Sequence, residues 1–356
     1  IEYGILTDGK FIIADQQRTG KSFSALLYVL SEKWNRCLIT CPSKVVGIWK
    51  NMIEDICNLP INILDKNSQM KDGFNIVSYD SLHLIDNLSC DICIADEAHF
   101  FLKKSARRTY NMMRINAIKK IALTGTPLMN SIDDMISILE WIDIKLAKEM
   151  CIFLSGISNL NNYQQAKLLG TELRRRCLLL RNTSQVGTAS EPYINFIDVD
   201  IKVNNPKDLI QVGTALSNYA IQYLNSFTNK IVIVVYFKEV GNILKNRLGQ
   251  RAILINGDSS RREVEDAVKD FKTSNEQFLI ASTVIAEGVD LSYCNHMLII
   301  EESYSMRTDQ MRERLNNIYK ENEVTIDILR AKQTQDDRVY SILNSKFELQ
   351  EGLRDS

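Results

Sequence analysis

Proline is scarce in this chain: five among 356 residues, with no Pro-rich, Gly/Ser-rich or internally repeated tract. That excludes a collagen-like chain and a long flexible tether between domains. Long apolar runs are missing too. The longest, Ile231 to Phe237, falls far short of the ~20 residues that a membrane-spanning helix requires. The start carries no charged-then-apolar signal peptide. Neither charge sign dominates. The net charge is −1, so there is no global pull toward polyanions, and any nucleic-acid surface must come from local patches. The eight cysteines are irregularly placed, which fits a reducing interior rather than a disulfide scaffold. What is present is globular material: 45% hydrophobic and 24% charged residues, enough to bury sizeable cores and to exclude wholesale disorder and coiled coil. At roughly 150 residues per domain, the length predicts two domains. The chain opens at Ile1 rather than Met, which predicts a piece of a longer polypeptide. The expectation is a soluble, intracellular protein, cytoplasmic or nuclear, neither secreted nor bound to membrane.

Short β-rich apolar runs alternate with longer amphipathic stretches. Strands are expected at 11–14, 37–41, 75–78, 92–95 and 120–124, then at 193–201, 231–237, 252–256, 278–282, 296–301 and 325–329. Helices are expected between many of them, at 22–33, 44–57, 207–227 and 261–272. This alternation predicts an α/β protein with parallel sheets covered by helices on both faces. From about Asp143 to Ser190 the β runs stop and a polar, helix-prone stretch follows. The division expected is an N-terminal lobe over 1–145, a helical insert and linker over 146–190, and a C-terminal lobe over 191–356.

Two motifs carry chemistry. Phe11 to Ser22 reads as an apolar strand, a polar loop and the start of a helix, with Gly20-Lys21-Ser22 at the handover. Such a loop offers backbone N–H groups and a positive helix end to phosphate. Thr19, Gly20, Lys21 and Ser22 are the expected nucleotide-binding residues, with Lys21 on the β/γ-phosphates and the Ser22 hydroxyl on Mg²⁺. The full P-loop pattern has a glycine six residues before the lysine, and Asp15 stands there. The second motif, Ile92 to His99, delivers Asp96 and Glu97 to the C-terminal end of a strand, where ligands bind in open α/β sheets. Asp96 suits Mg²⁺, and Glu97 suits polarising an attacking water. Together the two motifs predict an NTPase that uses Mg²⁺.

Asp96-Glu97-Ala98-His99 followed by Leu123-Thr-Gly-Thr-Pro-Leu-Met-Asn130 resembles helicase superfamily two, and specifically its Swi/Snf-type DNA translocases, in a minimal version. Cys41-Pro-Ser-Lys-Val-Val-Gly-Ile-Trp49 is similar to that family's Pro-x-Ser-x-x-x-x-Trp motif, and Ala14-Asp15 to its opening before the P-loop. Leu180-Arg-Asn-Thr-Ser-Gln-Val186 resembles its linker motif. Ser282-Thr-Val-Ile-Ala-Glu-Gly-Val-Asp-Leu291 and Gln310-Met-Arg-Glu-Arg314 resemble motifs of the second lobe. The resemblance covers nearly the whole chain in order. It implies two tandem RecA-like lobes that hydrolyse ATP while tracking duplex DNA. It further implies catalytic roles for Lys21, Asp96, Glu97 and Arg314, nucleotide contact by Gln310, coupling by Thr124, Gly125 and Thr126, and DNA contact by Ser43, Lys44 and Thr283.

The sequence also departs from the family. Arg18 replaces a usual glycine, and Asn317 stands where the family has a second arginine. The glutamine motif that reads adenine would lie just before Ile1. The short block 146–190 leaves no room for the insertions of chromatin remodellers. Between Ala98 and Ile132 there is no acidic residue but seven basic ones, among them Lys103, Lys104 and Arg107. Within the implied architecture this run, like Arg174-Arg175-Arg176 and Arg181, is placed to meet a DNA backbone without reading bases, or else is a solvated face. Cys90-Asp-Ile-Cys93 has metal-like spacing but no second pair, and is expected to be structural. Two other readings remain open: a strand-separating DNA or RNA helicase, and a degenerate, non-catalytic nucleic-acid-binding module. RNA is the less expected partner, and a protein partner remains open.

Overall fold

The computed structural model describes residues 1–16, 19–103, 105–181, 192–282, 291–301, 315 and 323–356, with Arg261 described by its backbone only. The chain divides into two compact units, Ile1–Val186 with Lys346–Ser356, and Gly187–Ser345.

In the first unit, seven strands run parallel: β1 (Lys10–Ile13), β2 (Arg36–Cys41), β3 (Ile61–Ile63), β4 (Gly73–Ser78), β5 (Ser89–Asp96), β6 (Asn116–Leu123) and β7 (Leu178–Leu179), in the order β3-β4-β2-β5-β6-β1-β7. Period-2 alternation splits each strand between two cores. Phe11 and Ile13 pack with Ala25, Leu26, Val29, Trp49 and Ile53 from the helices Lys21–Ser31 and Val46–Ile56. Ile12 and Ala14 face the other side, against Met112, Leu139, Trp141 and Leu169. Each buried Val, Leu, Ile, Phe or Met among them contributes about 1.5–3 kcal/mol. Helices therefore cover both faces, as the near-continuous apolar strands require.

The stretch expected to lack strands contributes β7, which pairs parallel with β1 through Ile12–Leu178 and Ile13–Leu179. Two residues are too few to leave a period in the sequence. The two helices preceding it, Ile144–Gly156 and Asn162–Arg174, send Ala147, Met150, Ala166, Leu169 and Leu173 into the same core. Asp143 starts the first of them by accepting from the N–H of Lys145 and Leu146, at 2.9 and 3.2 Å.

The second unit holds a parallel six-stranded sheet: β8 (Tyr193–Val199), β9 (Ile231–Val234), β10 (Ala252–Ile255), β11 (Phe278–Ala281), β12 (His296–Ile299) and β13 (Thr325–Ala331), ordered β10-β11-β9-β12-β13-β8. Val232, Val234 and Leu279 pack on one face with Phe271 from the helix Arg261–Thr273. Ile231, Ile233 and Ile280 pack on the other with Leu216 and Leu244 from Leu209–Leu224 and Lys238–Leu248. Asp327 is buried and collects three donors: His296 Nε2 at 2.5 Å, Tyr223 Oη at 2.7 Å and Asn195 Nδ2 at 3.2 Å. His296 is thus a structural residue with a carboxylate partner. The final helix, Gln335–Arg354, begins in the second unit and ends in the first, where Gln350 Nε2 donates to the Leu128 carbonyl at 3.1 Å. No helix among the described residues is long and apolar enough to cross a membrane.

Candidate active site

Strand register brings the first unit's motifs together. Ile13 lies opposite Leu123, and Leu123 opposite Asp96, so the loops that follow β1, β6 and β5 leave the sheet side by side at its C-terminal edge. In a parallel sheet this edge is where ligands bind.

The loop after β1 turns into its helix at Gly20, whose φ is +81°. A Cβ there would meet nothing within 4 Å, so backbone conformation rather than space calls for glycine. Lys21 opens the helix and donates through Nζ to the carbonyls of Asp15 and Gln16, at 2.9 and 2.8 Å. Ser22 is half-buried in the first turn, and Thr19 Oγ1 donates to the Gln16 carbonyl at 2.7 Å. Asp15 is fully buried and receives Arg181.

Asp96 is the last residue of β5 and buried. Its Oδ2 accepts from Trp49 Nε1 at 2.7 Å, its Oδ1 from the Glu97 N–H at 3.1 Å, and its backbone carbonyl from Tyr79 Oη at 2.7 Å. Burial, and then the Glu97 charge, push its carboxyl up to about 6. Glu97 adopts a left-handed backbone, φ +54°, rare for a non-glycine residue, and this turn directs the chain away from the strand. His99 Nδ1 lies 3.2 Å from Glu97 Oε2 without hydrogen-bond geometry. Beyond β6, the Thr124 N–H donates to the Ile13 carbonyl at 3.1 Å, and Thr124 Oγ1 accepts from the Thr126 N–H at 3.1 Å. The Thr126 hydroxyl is buried without a partner among the described residues. The turn after Gly125 is held by Asp134 Oδ2, which accepts from the N–H of Met129, Asn130 and Ser131.

The donor set suits a divalent cation: a buried carboxylate whose ionisation is opposed by burial and by a second carboxylate beside it, on the same strand-end level as the loop that leads into the helix of Ser22.

Ser43 and Lys44 are exposed in a single turn of 3₁₀-helix after β2, and Lys103 and Arg107 are exposed near the helix Arg107–Met113. Other members of the basic runs have internal partners: Arg108 pairs with Asp80 at 2.7 Å, Lys119 with Glu32 at 2.7 Å, Arg176 with Glu149 at 2.7 Å, and Lys120 donates to the Trp141 carbonyl at 2.8 Å. Arg18, Lys104, Thr283, Gln310, Arg314 and Asn317 lie outside the described residues. Sequence reasoning missed Tyr79 and marked Trp49 only as part of a motif, without its Asp96 partner. The Pro-x-Ser-x-x-x-x-Trp spacing is the signal that marks Trp49, and nothing in the sequence marks Tyr79.

Residues 11–194 match the SNF2-related domain, and residues 214–316 match the helicase conserved C-terminal domain. A Bacillus subtilis (strain 168) protein named uncharacterized ATP-dependent helicase YqhH is 22% identical, over 96% of this chain and 76% of its own length. The Xenopus tropicalis SWI/SNF-related matrix-associated actin-dependent regulator of chromatin subfamily A-like protein 1 is 20% identical over the full chain, which spans only 44% of that protein. The ATP-dependent helicase fft1 of Schizosaccharomyces pombe is 24% identical over 51% of this chain and 21% of its own. A solved Sulfolobus solfataricus SWI2/SNF2 ATPase core in complex with dsDNA is 16% identical, with a TM-score of 0.48 over 99% of this chain and 91% of that one. With the SNF2-related domain covering just over half of its residues, this chain belongs to the SNF2-related family, within the helicase-like proteins of superfamily two.

Proposed function

We propose that this protein is a DNA-dependent ATPase that uses hydrolysis to move along duplex DNA. The observation that carries the reading is the common level of three strand ends, which sets Lys21, Asp96–Glu97 and Thr124–Thr126 at one edge of one sheet. Lys21, now on two loop carbonyls, has the length and charge to exchange them for phosphate oxygens. Asp96 and Ser22 would hold Mg²⁺, which supplies positive charge against that developing on the transferred phosphoryl group. Glu97, turned out of the strand, orients water and accepts its proton, while Trp49 and the Glu97 N–H fix the Asp96 carboxylate. Thr124 to Thr126, attached to β1 through the Ile13 carbonyl, relay changes at the phosphate to the rest of the unit. The family resemblance assigns nucleotide contact to Gln310 and transition-state charge to Arg314, both outside the described residues.

Exposed Ser43, Lys44, Lys103 and Arg107 supply a backbone-directed, sequence-independent DNA surface. The family supports duplex DNA as the track. The test is steady-state hydrolysis with no nucleic acid, single-stranded DNA, duplex DNA and RNA, for the parent and Glu97→Gln. Duplex DNA is expected to stimulate the parent most, and Glu97→Gln to bind ATP without turnover. Normal hydrolysis by Glu97→Gln removes the site assignment, and stimulation by RNA alone removes the DNA reading.

A further inference from the structure

Asp15 occupies the position where a P-loop carries its first glycine, and it is the only loop residue with a fully buried carboxylate among those described. Among the described residues, its cationic partner is Arg181. Arg181 donates its backbone N–H to Oδ1 at 2.8 Å and its Nε and Nη2 to Oδ2, at 3.1 and 2.5 Å. The guanidinium is over a third exposed while the carboxylate is sealed, so the pair closes the loop's base from outside.

This contact ends a ladder. The Ile12 N–H donates to the Cys177 carbonyl at 2.7 Å, Ala14 to Leu179 at 2.8 Å, and Gln16 to Arg181 at 3.2 Å. The pairing of β1 with β7 thus runs past the end of both strands and into the phosphate loop. Asp15 and Gln16 are also the residues whose carbonyls hold Lys21 Nζ. Asp15 therefore grips Arg181 through its side chain and the phosphate-binding lysine through its backbone.

We propose that Arg181 is a positioning residue for nucleotide binding: acting through Asp15, it sets the shape of the phosphate loop. A glycine at this position would leave the loop to shape itself around phosphate. An aspartate there must be both neutralised and held, and only Arg181 does both among the described residues. The inference rests on the ATPase reading of this loop. It also takes Arg181 out of the basic surface, since its charge is spent on a carboxylate of its own unit.

The test measures the dissociation constant of a fluorescent ATP analogue, alongside KM and kcat, for the parent, Arg181→Ala, Arg181→Lys and Asp15→Asn, each with a melting curve. Arg181→Ala is expected to raise the dissociation constant and KM by about tenfold or more while kcat at saturation changes far less. Arg181→Lys, which keeps the charge but loses the fork, should fall between Arg181→Ala and the parent. A purely structural pair would lower the melting temperature and leave the folded protein's affinity unchanged. If Arg181→Ala does not fold, Arg181→Lys and Asp15→Asn carry the test, and parental affinity in both overturns the proposal. Binding by the parent with unchanged variants removes this inference alone. A parent that binds no nucleotide removes the ATPase reading and this inference with it.

Discussion

Replacing Asp96 by asparagine is expected to stabilise the first unit at neutral pH while abolishing hydrolysis. The Asp96 carboxyl is pushed from 3.8 up to about 6, by burial first and by the Glu97 charge second. The folded state thus binds this proton more tightly than the unfolded chain does. The resulting loss of stability is absent below the unfolded value, grows as pH rises, and is complete above the folded one. Linkage makes it about 3 kcal/mol at pH 8 and about 1 kcal/mol at pH 4.5. Asparagine removes the charge but offers one acceptor to two donors, Trp49 Nε1 and the Glu97 N–H, at a cost of about 1–1.5 kcal/mol. The net change is a gain of about 2 kcal/mol at pH 8 and close to zero at pH 4.5. For a unit of this size each kcal/mol moves the midpoint by about 2–4 °C, so the melting temperature should rise by several degrees at pH 8. Calorimetry of parent and Asp96→Asn at both pH values, with divalent cations chelated, reads the difference. A variant that melts below the parent by the same margin at both pH values would refute the reasoning. The carboxylate would then be no burden on the fold.

Lys21→Ala should weaken nucleotide binding without lowering the melting temperature of the unliganded protein, measured by titration of an ATP analogue. Charge reversal at Lys103 and Arg107 should shallow the slope of log affinity against log salt for duplex DNA by about 0.9 for each phosphate no longer neutralised, and an unchanged slope removes these residues from the DNA surface. Asp327→Ala leaves His296, Tyr223 and Asn195 without their acceptor, and urea unfolding of the second unit should show a loss of about 3–5 kcal/mol. Arg314→Ala should nearly abolish turnover with saturating duplex DNA, whereas Asn317→Arg should raise it by restoring a second cation. Parental rates in Arg314→Ala would show that another residue supplies the charge.

The sequence by itself determined the fold class, because strand and helix periods are local properties. Eleven of the strands were legible as short apolar runs, and the helices Lys21–Ser31 and Val46–Ile56 as amphipathic stretches after them. The placement of the motif residues was legible for the same reason: Gly20-Lys21-Ser22 opens the helix after β1, and Asp96-Glu97 stands at the end of β5. β3 and β7 were not legible, since two or three residues cannot display a period of two. Only the tertiary structure decided the strand order and register, and with them the meeting of the loops after β1, β5 and β6. It also decided which basic residues are consumed inside the protein: Arg181 on Asp15, Lys119 on Glu32 and Arg108 on Asp80 all pair with acids distant in sequence. Trp49 shows the limit most clearly. Its spacing from Pro42 and Ser43 was visible in the sequence, but its hydrogen bond to Asp96 joins two strands' worth of chain that only the sheet brings within reach. Local pattern specifies elements, whereas the partners of buried charges are set by packing between elements far apart in the chain.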